Sequence, residues 1–93
     1  MTIPLDEFRS RLLADPAVRA EYDALAVEFE ISAELVRARL RAGLSQAELA
    51  ARIGTRPATV ARLESGRMLP STKTLLRYAA ATGSKVQVRL SAA

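Results

Sequence analysis

Residues 45–66 read Ser-Gln-Ala-Glu-Leu-Ala-Ala-Arg-Ile-Gly-Thr-Arg-Pro-Ala-Thr-Val-Ala-Arg-Leu-Glu-Ser-Gly. Apolar residues fall at Leu49, Ala50 and Ile53, then again at Val60 and Leu63. That is the spacing of two short helices, each with one inward face. Gly54 stands between the two sets, where a sharp turn needs a left-handed backbone. Ser45 and Glu48 have the capping-box spacing that starts a helix at Gln46. Pro57 suits the first turn of the second helix, where an amide proton has no partner inside the helix. The segment predicts helices over 46–53 and 57–65, with Gly66 ending the second.

Two short helices around a tight turn form the helix-turn-helix plan, in which the second helix enters the major groove of DNA. Downstream, Ser71 caps a last helix near 72–82, with Leu75, Leu76, Ala79 and Ala80 inward and Gly83 closing it. Upstream, Asp15-Pro16 is an N-cap followed by proline at the first helical position. Beyond it, Tyr22, Leu25, Val27, Phe29, Ile31, Leu35, Val36 and Leu40 do not fit one stripe. The reading is therefore a helix near 16–26, a break near 27, and a second helix from about 28 to 42 that ends at Gly43. Thr2 to Leu13 makes a short helix, with Leu5, Phe8, Leu12 and Leu13 near one face.

After Gly83 the period changes. Val86, Val88 and Leu90 alternate with Lys85, Gln87 and Arg89, which predicts a strand. No other segment reads as one, and a lone strand leaves its backbone groups unpaired. Its expected mate is its own copy in a second chain, antiparallel across a two-fold axis. The expected fold is mainly α, with five or so helices, a central helix-turn-helix and one short C-terminal β-strand paired across a dimer. Residues 1–27 are expected to form an acidic helical arm, 28–84 the helix-turn-helix domain and 85–93 the dimerisation strand.

A chain of 93 residues buries a modest core, so a dimer interface would help its stability. It has no cysteine and no histidine. That removes disulfides, thiolate zinc sites and histidine-based catalysis, and no other catalytic cluster stands out. An enzyme is disfavoured, and no metal or cofactor is expected. No apolar run approaches the ~18 residues of a membrane span, and the N-terminus lacks the basic-then-apolar order of a signal peptide. A soluble cytoplasmic protein is expected, with no membrane partner.

The net charge of +4 hides a division. In residues 1–34, three arginines face eight carboxylates, a net of −5. In residues 35–93, eleven lysines and arginines face only Glu48 and Glu64, a net of +9. The basic part suits a phosphate backbone. The acidic part is either a solvated helix face or a surface for something basic. Tyr22 and Phe29, both in or near the arm, either pack it onto the domain or anchor a protein partner.

The run Gly-Leu-Ser-Gln-Ala-Glu-Leu-Ala-Ala-Arg-Ile-Gly at 43–54, with Val-Ala-Arg-Leu-Glu-Ser-Gly at 60–66, resembles the Cro and phage-repressor-like (XRE) helix-turn-helix family over about residues 35–82. The wider chain is most similar to HigA-type antitoxins of bacterial toxin–antitoxin pairs. Asp-Pro-Ala-Val-Arg-Ala-Glu-Tyr-Asp-Ala-Leu at 15–25, Glu-Phe-Glu-Ile at 28–31, Arg-Ala-Gly-Leu-Ser-Gln at 41–46 and the ending Lys-Val-Gln-Val-Arg-Leu carry that likeness. The resemblance implies a dimer that binds double-stranded operator DNA, represses its own promoter, and neutralises a basic RelE/ParE-like toxin. It places the protein in the bacterial cytoplasm, at the nucleoid. A solitary regulator without a toxin is the alternative.

By the same resemblance, Gln46 holds a phosphate from the start of its helix, which suits an amide donor at a helix N-terminus. The family often reads bases with glutamine in the first turn of the second helix. Here those positions are Pro57 and Ala58, and neither forms a bidentate bond to a base edge. Base reading is left to Arg56, Thr59 and Arg62, with Ala58 or the Thr59 methyl against a thymine methyl. Arg67 follows in the next loop. For Arg62 the alternative is a surface salt bridge, and for Arg56 a solvated turn residue. In relatives, residues at the positions of Arg39 and Glu64 form a structural ion pair. Tyr22, Leu25 and Phe29 are the candidate toxin anchors, and Val86, Val88 and Leu90 the candidate dimer contacts.

Overall fold

Asp15 and Pro16 start the longest element of the chain. The Asp15 carboxylate accepts a hydrogen bond from the Ala17 amide at 2.9 Å, and Pro16 occupies the first helical position. A computed structural model describes residues 4–92. It comprises five helices: α1, Leu5–Ala14; α2, Pro16–Arg41; α3, Gln46–Ile53; α4, Pro57–Leu63; and α5, Thr72–Thr82. Thr2, the expected start of the first helix, and Ala93, at the end of the expected strand segment, lie outside the described residues.

The break expected near residue 27 is absent, and α2 runs through it without interruption. No glycine or proline lies between 17 and 41 to kink it. The apolar pattern changes because the surroundings change. In the second half, Ser32, Leu35 and Ala38 are buried against the domain, with Ile31 packed beside them. From Tyr22 to Phe29, the large apolar residues Tyr22, Leu25, Val27 and Phe29 remain largely exposed, and the first half holds no buried residue. That half packs against α1, whose own residues are none of them buried. At 26 residues α2 is about 39 Å long, and it accounts for much of the 52 Å extent of the molecule.

The core gathers Leu35 and Ala38 of α2, Leu44, Leu49 and Ala50 of α3 and its approach, Val60 and Leu63 of α4, and Tyr78 of α5. The capping box at α3 forms in full. Ser45 Oγ accepts from the Glu48 amide and the Glu48 carboxylate accepts from the Ser45 amide, both at 3.1 Å. Gly54 turns the chain with φ +82°, and the amides of Gly54 and Thr55 both donate to Ala50 O at 2.9 Å. A side chain other than glycine rarely adopts that backbone.

Two expectations for the C-terminal part are corrected. In α5 the inward residues are Leu75, Tyr78, Ala79 and Thr82, while Leu76 is 56% exposed and Ala80 lies outside. The inward set follows the i, i+3, i+4, i+7 spacing of a helix face. Tyr78 enters the core because its hydroxyl finds partners there. The strand expected over Lys85–Leu90 is not formed, and there is no strand among the described residues. Val88 and Leu90 are 82% and 95% exposed, and only Val86 of the alternating set is half-buried. A strand requires a ladder partner, and one chain supplies none.

Candidate nucleic-acid interface

α3 and α4 pack on one another through Leu49, Ala50, Val60 and Leu63. That packing fixes what α4 shows outward. Val60 and Leu63 face the core, so Ala58 and Arg62, one turn apart, stand on the opposite side of the helix. Arg56, Pro57, Ala58, Thr59 and Arg62 are all exposed. Arg56 is the N-cap residue of α4 and, since a guanidinium has no acceptor, gives it no side-chain cap. Arg67 is exposed in the loop that follows, its amide donating to Ser65 Oγ at 3.3 Å. Gln46 is half-buried at the first position of α3.

Ion pairs among the described residues are Arg11–Glu7, Arg37–Glu34 and Arg39–Glu64. Arg56, Arg62 and Arg67 belong to none of them. Among the described residues no carboxylate pairs with the outward face of α4. Near the start of α3 stands the carboxylate of Glu48. Its pKa is held below the ordinary glutamate range, first by the backbone amide of Ser45 and then by the Ser45 side chain.

Behind α4 lies a buried polar network. Arg39 Nε donates to Glu64 Oε1 at 2.8 Å and to Oε2 at 3.0 Å. The Arg39 guanidinium also donates to Leu44 O at 3.0 Å. The Glu64 side chain is only 3% exposed. Tyr78 adds what the sequence reading misses. Its hydroxyl donates to Leu35 O at 2.8 Å, with Glu64 Oε2 at 3.2 Å as a second acceptor. Burial, followed by the Glu64 charge, pushes the Tyr78 hydroxyl well above its ordinary range, so it remains a donor. The signal that points to Tyr78 is the inward period from Leu75 to Thr82, which places it at the centre of that face.

A family model for the helix-turn-helix matches residues 35–88. The chain belongs to the XRE-type helix-turn-helix family. Comparison with curated proteins and with solved structures returns no match. The helix-turn-helix family is one of DNA-binding domains, typically non-enzymatic, and such a domain points to a DNA-binding regulator.

The family match begins at Leu35, part-way along α2. The hairpin of α1 and the first half of α2 lies outside it. On that hairpin Tyr22, Leu25 and Phe29 share one face of α2, at spacings of three and four residues. They are not equally free. Arg9 of α1 stacks over the Tyr22 ring at 5.3 Å and donates to its hydroxyl. The Phe29 ring lies against Gly66, at the end of the helix-turn-helix. Leu25 is 51% exposed. Among the described residues no helix is long and apolar enough to cross a membrane, and no acidic cluster could hold a metal ion.

Proposed function

We propose that the chain is a dimeric antitoxin that represses transcription by seating α4 in the major groove of operator DNA, at its own promoter. The observation that carries this reading is the outward face of α4, where Arg62 stands opposite the buried Val60 and Leu63 with no carboxylate partner among the described residues. Arg62 pairs with the O6 and N7 of a guanine, the commonest specific major-groove contact. Ala58 and the Thr59 methyl pack on thymine methyls. Arg56, at the N-cap of α4, reaches the groove beside them, while Gln46, at the start of α3, holds a phosphate and Arg67 adds a backbone contact, which set position without reading sequence.

Three further assignments complete the proposal. The unpaired tail, with Val86, Val88 and Leu90, pairs with its copy in a second chain, which gives two recognition helices for two half-sites. The acidic hairpin, net −5 over residues 1–34, takes a basic toxin of the RelE/ParE-like kind, with Tyr22, Leu25 and Phe29 as apolar anchors. The working place is the nucleoid of the bacterial cytoplasm. The toxin assignment rests on the likeness to HigA-type antitoxins and on the hairpin's charge and exposed apolar residues.

Selection from a random duplex library with the full chain tests the DNA reading. The expected result is an enriched sequence with two half-sites about one helical turn, ~34 Å, apart. Arg62→Ala relaxes one base position in each half-site and costs about 1–3 kcal/mol, while Gln46→Ala weakens all duplexes alike. A wild-type chain that enriches nothing would end the DNA-binding reading. Co-expression with the neighbouring reading frame, followed by purification of the tagged chain, tests the toxin.

A further inference from the structure

We infer that Tyr78 is a positioning residue for DNA recognition: through Glu64 its hydroxyl sets the rotation of α4, and with it the aim of Arg62. The inference rests on the reading of α4 as the DNA-contacting helix. It assigns to a buried residue of α5 a role in specificity as well as in packing.

Little besides Glu64 fixes the exact rotation of α4. The helix is seven residues long. Its two buried side chains, Val60 and Leu63, are apolar. Val60 and Leu63 settle which face of α4 turns inward, but apolar packing is not directional and leaves the last tens of degrees of rotation to other contacts. Side chains reach ~5–6 Å from a helix axis, so a rotation of about 20° moves a tip by about 2 Å. A bidentate contact to guanine does not survive that displacement, since hydrogen-bond distances span only about 0.5 Å. Rotation is therefore the coordinate on which recognition depends.

Glu64, the residue that caps α4, is where that coordinate is fixed. Its carboxylate is held from two other helices. From α2, the single Nε–H of Arg39 reaches both oxygens, at 2.8 and 3.0 Å. One donor shared by two acceptors is a pivot, and the carboxylate can swing about it. From α5, the Tyr78 hydroxyl approaches only Oε2, at 3.2 Å. That contact breaks the symmetry of the pivot. The same hydroxyl is tied to Leu35 O at 2.8 Å, so α2, α4 and α5 meet at one proton. Removing the hydroxyl leaves the ring in the core. It also leaves Glu64 paired with Arg39, so the fold is retained while the second anchor is lost.

The test is Tyr78→Phe in the full chain, with duplexes selected from a random library by the wild type as probe. Melting temperatures are measured first, and binding is measured well below the lowest of them. The expected result is a loss of about tenfold in affinity for the selected duplex, the scale of one lost bidentate contact. Affinity for a scrambled duplex stays within about twofold, and the salt slope is unchanged because the phosphate contacts remain. Ala79→Gly, which loosens α5 without touching Glu64, is expected to lower the melting temperature and keep the ratio of the two affinities. Glu64→Asp, one methylene shorter, draws the carboxylate back from Tyr78 and Arg39 alike and is expected to lose the ratio too; should Tyr78→Phe fail to fold, a ratio that Glu64→Asp retains overturns the inference. A ratio that survives in a folded Tyr78→Phe chain, or in Glu64→Asp where the Tyr78→Phe chain does not fold, overturns the inference alone. Absence of any selected duplex for the wild type overturns the DNA-binding reading and this inference with it.

Discussion

The ring of Phe29 occupies the space that a side chain on Gly66 would need. A Cβ built on Gly66 would lie 2.6 Å from Phe29 Cδ1 and 2.8 Å from Cε1, and 3.2 Å from Ser32 Oγ. Gly66 also holds φ at +77°, in the left-handed region. Gly66→Ala therefore meets two costs, about 1–2 kcal/mol of backbone strain and a further ~1–3 kcal/mol for displacing the ring. The expected loss, read from urea unfolding, is about 2–5 kcal/mol. Phe29→Leu in the same chain should recover the steric part and leave the strain. If the double variant is no more stable than Gly66→Ala, the ring is not what confines Gly66.

The buried pair makes a second prediction. Arg39→Met leaves a Glu64 carboxylate, 3% exposed, with Tyr78 as its remaining partner. Breaking a buried pair from one side costs about 3–5 kcal/mol. Arg39→Met with Glu64→Leu, which removes both charges, should be the more stable of the two variants, because no charge is stranded. A loss below about 1 kcal/mol for Arg39→Met would mark the pair as solvated in solution, as exposed pairs are.

The parts of this fold that local chemistry specifies can be read from the chain alone. The α3–α4 unit is one: Ser45 with Glu48, Gly54 and Pro57 each act within a few residues of where they stand. The parts that depend on a distant partner cannot. The apolar residues of α2 look like two helices because half of them pack against the domain and half do not. Tyr78 escapes notice because its polar tip counts against burial until Leu35 O and Glu64 are known to be waiting for it. The alternation from Lys85 to Leu90 reads as a strand, but a strand needs a second one. At the interface, residues on α4 are identifiable from spacing, since Val60 and Leu63 fix which way the others face. The role of Phe29 is not, because its contact with Gly66 spans 37 positions of sequence.

Acid should test the capping box. The Ser45 amide, and then the Ser45 side chain, lower the pKa of Glu48 in the folded chain. A carboxyl with a lowered folded pKa contributes stability that is fully present above its unfolded value, about 4.3 for glutamate. That contribution is lost as the pH falls through the folded value. Glu48→Gln keeps a capping group without the charge. The stability gap between the two chains should be widest near neutrality and close in acid, below about pH 4.3. Urea midpoints over that range check it; a gap that stays constant with pH would assign the capping effect to hydrogen bonding alone.

The uneven burial of α2 predicts an uneven stability. Its buried residues are Ser32, Leu35 and Ala38, all in the second half, and α1 has none. The hairpin is held by the α1–α2 contact, by Arg9 on Tyr22, and by little apolar burial. A helix segment with so little tertiary support is marginal in water. Local opening should therefore free α1 and residues 17–27 at roughly 1 kcal/mol, while amides from about 35 to 41 open only with global unfolding. Hydrogen exchange followed by NMR reads this residue by residue. The step is expected near Phe29, where the ring on Gly66 ties the helix to the domain. A hairpin this loose gives up part of its binding energy to ordering when it takes a partner, so binding of a basic protein there should raise protection in α1 and the first half of α2 first. Uniform protection along all of α2 would show that the hairpin is as stable as the core.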